Sequence, residues 1–268
     1  MLLLSVAVAI AGDTRNVPPE RVDPPELPRL ARIVEIKAIL DEVALPPLPF
    51  VPAATSAPHF PFLAERMKHY GMDGTVEDIL KTPEKYPLRV AVIRSLDMLR
   101  KAPVPGNAKG VIPISQINAP INDKTRREVS KTQDFVALLV AELELQVELL
   151  VDLGRLRADE PRRWQAHYDY TLAQLRRRLV LVHEYNKALS DVRTDSMPDL
   201  PEGALGWKLV SAEKLHSRLD VKKILEQSTD GFRTLATDCK GTPWEYLANR
   251  ALLSHPGLTW EPILKRAD

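Results

Sequence analysis

Four short constellations in this chain carry residue types that could do chemistry. His183-Glu184 opens like the His-Glu-x-x-His helix of zinc hydrolases, in which two histidines one turn apart grip the metal. Lys187 stands where the second histidine is required, so the motif is incomplete. Glu213-Lys214-Leu215-His216 is one Glu-x-x-His pair of the kind that helical bundles use twice to hold two metal ions. No second pair exists, and Glu65 and His69 are four apart instead of three. Cys239, the only cysteine, excludes an internal disulfide and a cysteine-based zinc site. It stands at the end of an expected helix, where the dipole raises a thiol pKa, so it reads as a small buried apolar residue. No Gly-rich phosphate cradle and no Gly-x-Ser-x-Gly nucleophile elbow occurs, and no cofactor or metal is expected.

The fourth constellation is basic and aromatic. Arg155 to Arg178 holds seven arginines against Asp159, Glu160 and Asp169, with Trp164, Tyr168 and Tyr170 interleaved. A nucleic-acid surface needs a one-sided basic stripe without acidic partners. Here Glu142 and Glu144 are expected to lie opposite, and the whole chain balances at 37 basic and 36 acidic residues, a net charge of +1. Nucleic acid is therefore not an expected partner. Trp164, Tyr168 and Arg163 form the expected contact patch for a protein partner, because aromatics and arginine dominate interface anchors. A competing reading places a small-ligand cavity among Trp164, Tyr168, Tyr185 and His183.

The elements that must position these residues are helices. In 268 residues, 44% are apolar and 27% charged, values that exclude wholesale disorder and a polytopic membrane protein. There are 23 prolines and 11 glycines, and eleven of the prolines fall between Pro18 and Pro61. Residues 12–61 thus read as a Pro-rich arm, holding one amphipathic helix within Leu27 to Leu45. Further helices are expected at Phe62 to Tyr70, from Thr75, and over Leu88 to Ala102. A connector follows to Pro120, with an extended piece at Gly110 to Ile114.

The strongest periodicity begins at Asn122 or Asp123, either of which can cap a helix running to about Asp159. Val129, Val136, Leu143 and Leu150 are seven apart, and Leu138, Leu145, Leu149 and Leu156 make a second apolar stripe. A helix apolar on two faces is expected to be buried by two neighbours. Glu142, Glu144, Glu148 and Asp152 argue against a membrane span, since an acid at mid-membrane costs about 2.5–3.5 kcal/mol. Pro161 then starts a second helix to about Thr194, with Tyr168, Leu175, Val182 and Leu189 seven apart. So short a join implies an antiparallel hairpin over residues 122–195, with Glu142 and Glu144 near Arg178 and Arg176. Trp207 to Leu219 and Val221 to Cys239 read as two more helices. Gly231 marks a close contact or kink in the second of them. Gly241 ends it, and Thr242, Pro243 and Glu245 read as a capping box opening the last helix, within residues 207–255. The fold class expected is all-α.

The helix–Gly-Thr-Pro-Trp–helix join over residues 221–255 resembles a tetratricopeptide-type helical pair of bacterial envelope proteins. The stretch from Arg162-Arg163-Trp164-Gln165, with Tyr168 and Tyr170, is similar to uncharacterised secreted helical proteins of bacteria. The resemblance implies a helical fold, a protein-binding role with a peptide groove, and no catalytic residues. Residues 1–11 read as a signal-peptide remnant: Leu2 to Ala11 is an apolar run ending in Ala9-Ile10-Ala11, with no basic residue before it. A periplasmic or secreted location is expected, with the cytoplasm as the alternative. The function expected is a non-enzymatic helical scaffold or interaction module. The alternatives are a small-ligand-binding or enzyme-accessory bundle, and a cytosolic coiled-coil oligomeriser built on the long helices.

Overall fold

A computed structural model describes residues 33–46, 50, 62, 64–101 and 114–265. The expected signal remnant, most of the Pro-rich arm and nearly all of the expected extended piece at 110–114 lie outside the described residues. α1 (Ile33–Val43) falls within Leu27 to Leu45, where one amphipathic helix is expected. α2 (Ala64–Met67) tightens into a 3-10 turn at Lys68–Tyr70. α3 (Val76–Lys81) is capped by Thr75, whose hydroxyl accepts from the Asp78 amide at 3.2 Å. α4 (Pro87–Lys101) follows, opened by its proline.

α5 (Asp123–Leu153) starts at Asn122, whose side chain accepts the Thr125 amide at 2.9 Å. Its last turns become 3-10 at Gly154–Asp159, and Pro161 precedes α6 (Arg162–Arg193). Residues rising along α5 meet residues falling along α6. Arg126 pairs with Asp195 at 2.6 Å, Gln133 donates to Asn186 at 3.0 Å, and the Tyr168 hydroxyl donates to the Leu150 carbonyl at 3.0 Å. The two helices are buried very differently. Twenty of 32 residues are buried in α6, against five of 31 in α5. α6 is the axial element, enclosed by α4, α5, α7 (Leu219–Asp238), α8 (Pro243–Leu252) and a strand. α5 lies at the edge. Val129, Val136, Leu143 and Leu150 are its inward face, each at most 1% exposed.

The fold is predominantly helical but not all-α. β1 (Gln116–Asn118), β2 (Ala204–Ala212) and β3 (Gly257–Leu264) form an antiparallel sheet in that order. The helix expected from Trp207 to Leu219 is therefore replaced by β2. Trp207 and Leu209 point inward on either side of exposed Lys208, a period of two. Ile117 pairs with Trp207, and Leu209 with Trp260. The Trp260 indole donates to the Ala188 carbonyl at 3.0 Å, seating the sheet on the C-terminal half of α6. Gly206 allows the close approach of β1: a β-carbon there would lie 2.1 Å from the Ile117 carbonyl oxygen, and its φ is +153°. Gly231 does mark a close contact, its hypothetical β-carbon 3.3 Å from Ala173 across the α6–α7 packing.

The join between α7 and α8 departs from a capping box. Gly241, with φ +78°, leaves the helix as expected of a C-terminal glycine. The Glu245 carboxylate accepts from the Gly241 amide at 2.6 Å, one residue before the cap. The Thr242 hydroxyl donates backwards to the Cys239 carbonyl at 2.6 Å and caps nothing. No helix among the described residues is long and apolar enough to cross a membrane.

Candidate functional site

The first candidate is a polar cluster where α1 meets the N-terminal turns of α6. Arg163 and His167 are one turn apart on α6, so both reach the same point. That point is one oxygen of Glu42 near the end of α1. Arg163 donates to it from Nη2 at 2.6 Å and Nε at 3.2 Å, and His167 Nε2 lies 2.9 Å away. The Trp244 indole N–H, which can only donate, points at His167 Nδ1 at 3.4 Å. Nδ1 is then the acceptor and Nε2 carries the proton toward Glu42. Burial holds the His167 pKa below the ordinary imidazole value, despite the neighbouring carboxylate. Burial raises the Glu42 pKa, but the hydrogen bonds from His167 and Arg163 outweigh it and hold the carboxyl below its usual range. A neutral imidazole with both nitrogens committed has no lone pair to offer a substrate, so this cluster is a fastening. Arg100 completes it by donating to the last carbonyls of α1, at Glu42 and, at 3.0 Å, Ala44.

Beside the cluster is a cleft of about 80 Å³, walled by Val76, Ile93, Leu96 and Trp164, with Glu42, Arg100 and His167 at its polar end. Pockets for metabolites run to about 300–1,000 Å³. This one admits only a few atoms. Nearby, Arg89 joins Asp73 at 2.9 Å and Glu160 at 2.7 Å, and the Trp164 indole donates to Asp73 at 3.1 Å. These bonds tie the turn between α5 and α6 to α4.

The residues expected to meet a partner are thus interior. Arg163 is 4% exposed, Trp164 5% and Tyr168 6%. All three spend their polar atoms inside the molecule, on Glu42, Asp73 and Leu150. Trp164, Tyr168, Tyr185 and His183 do not share a cavity. Trp164 and Tyr185 are 21 residues apart on one helix, about 31 Å at 1.5 Å per residue. Tyr185 stacks on Phe50, and its hydroxyl accepts from the Ile114 amide at 2.8 Å and donates to the Ile114 carbonyl at 3.5 Å. His183 sits 3.9 Å from Glu144.

The two half-motifs for metal do meet, through the backbone. The Glu184 carboxylate, 1% exposed, accepts from the amides of His216 at 2.9 Å and Ser217 at 2.7 Å, with Leu258 at 3.4 Å. It clamps the β2–α7 loop and the start of β3 onto α6. Among the described residues, no group of three or more His, Cys, Asp or Glu is placed to hold a metal ion. Cys239 is buried, and desolvation pushes its thiol up to about 11. Within the Arg176–Arg178 run, Arg177 does not face Glu142 and Glu144. Arg177 turns into the α6–α7 packing, donating to the Ser254 carbonyl at 2.8 Å, and Arg178 is 2% exposed. Burial lowers both guanidinium pKa values to about 10.

The second candidate is the outer face of α5. Leu138 is 70% exposed, Leu145 62%, Phe135 44% and Leu149 40%. The second neighbour expected for this stripe is not among the described residues. Sequence periodicity found the stripe, but the Glu42, His167, Trp244 and Glu184 contacts escaped it. Glu42 and His167 are 125 residues apart, and no local pattern links them. No family model matches this chain, and no curated protein or solved structure matches it.

Proposed function

We propose that this protein is a non-enzymatic helical scaffold whose working surface is the outer face of α5. The observation that carries this reading is the exposed row Phe135, Leu138, Leu145 and Leu149, gathered on one face of one helix, whereas the other exposed large apolar residues are scattered over several elements. Single exposed leucines are ordinary, but four large apolar side chains along four turns of one helix form an apolar strip, interrupted by Glu142, the mark of an association surface. The interior supports the same reading. Its polar groups hold helices to one another, and the cleft beside Glu42 and His167 is too small for a metabolite. The Leu2–Ala11 run supports export to a bacterial envelope; N-terminal sequencing of the mature chain is expected to begin after Ala11, and an intact Met1 would count against it.

A Leu138→Glu/Leu145→Glu variant of the full chain tests the surface. Charges on a free face change stability by about 0.5 kcal/mol or less each. At a concentration where the parent chain is unassociated, the thermal midpoint is expected to stay near the parent's, while association at higher concentration is lost. A drop equivalent to several kcal/mol would mean that the chain itself buries the row, and would overturn the reading.

A further inference from the structure

Resting on that reading, we infer that the occupant of the α5 face is the α5 face of a second copy of this chain, crossing in the antiparallel sense. Opposite charges stand at the two ends of the exposed row. Lys131, Leu138, Leu145 and Asp152 are seven apart and so lie in one row. All four are exposed. On the same side, Lys124, Arg127 and Lys131 precede the leucines, interleaved with the acids Glu128 and Asp134, whereas Glu142 lies between the two leucines and Glu148 and Asp152 lie toward the far end. Along the row itself, Lys131 stands at one end, Asp152 at the other, and the two leucines between them.

A two-fold interface uses the same patch twice and must complement itself. A parallel pair would set Lys131 against Lys131 and Asp152 against Asp152. An antiparallel pair with its axis between Ala141 and Glu142 sets Leu138 against the second copy's Leu145 and Lys131 against its Asp152, both twice. Ala141, the small residue at the crossing, lets the helices approach closely. Glu142 sits beside it, next to the second copy's Glu142 across the axis, a like-charge contact that the two Lys131–Asp152 pairs must offset. The charge pattern thus selects both the partner and the direction. A partner of another sequence would have to reproduce it.

Sedimentation equilibrium of the full chain between about 1 and 200 µM brackets weak and moderate dimers. The expected mass rises toward twice 30.1 kDa. Lys131→Glu replaces two attractive pairs by two repulsive ones and is expected to weaken dimerisation about tenfold. Lys131→Glu/Asp152→Lys exchanges the signs and is expected to restore it. A dimer that Lys131→Glu leaves intact, or that the exchange fails to restore, overturns the antiparallel register. A chain that stays monomeric throughout, with the Leu138→Glu/Leu145→Glu variant as stable as the parent, overturns the second copy as occupant and leaves the scaffold reading standing. A monomer destabilised by that variant overturns both, because a segment of the same chain then covers the row.

Discussion

At Glu42, one carboxylate oxygen serves two buried donors on α6, and this is the only point where α1 is tied to α6 by an ion pair among the described residues. The bond has a pH dependence whose sign follows from the shifts. In the unfolded chain His167 takes a proton near its ordinary value of about 6.5; in the fold, burial holds it off until lower pH. Between those values the unfolded state binds more protons, so stability falls as pH drops below about 6.5. His183, also held down by burial, adds with the same sign. Glu42 contributes at lower pH: its stabilisation is present above the ordinary carboxyl value and is lost as pH falls through its depressed one. The urea midpoint is therefore expected to decline from pH 7 to pH 5, and His167→Gln, which keeps a donor toward Glu42 but cannot titrate there, is expected to flatten much of the decline. A midpoint equally steep in that variant would assign the effect elsewhere.

Among the elements, helices with their own caps and seams were legible because the information is local. Asn122, Thr75 and Pro87 announce the starts of α5, α3 and α4, and the row Val129, Val136, Leu143 and Leu150 marks the inner face of α5. β2 was not legible. Its partners are far away in sequence, with Ile117 opposite Trp207, and its nine residues carry only one clear alternation, around Lys208. Gly206 is where that non-local pairing shows in the sequence, as a glycine required by a strand 90 residues upstream. Gly206→Ala would drive a methyl into the Ile117 carbonyl and hold alanine at a φ that L-residues rarely adopt. It is expected to cost about 2 kcal/mol or more, read in chemical denaturation by the fluorescence of Trp207 and Trp260. An unchanged midpoint would mean that β1 does not pack on β2 as described.

On the scale of the whole molecule, α6 is the axis and α5 is half interior, half surface. Periodicity marks both faces of α5 equally: four apolar residues at sevenfold spacing point inward, and Leu138 and Leu145, at the same spacing, point out. Spacing records that a face is apolar, not what covers it, which is why the outer row reads from sequence as a second internal contact. The same limit applies to Trp164, Tyr168 and Arg163, whose composition suits an interface but whose hydrogen bonds are all internal. The most direct test of α5 as the working surface is residue-resolved carbene labelling of the full chain as its concentration is raised. Leu138 and Leu145 are expected to label strongly in dilute protein and to become protected in concentrated protein, while Leu143 and Leu150 stay protected throughout. Protection of all four at every concentration would contradict the account.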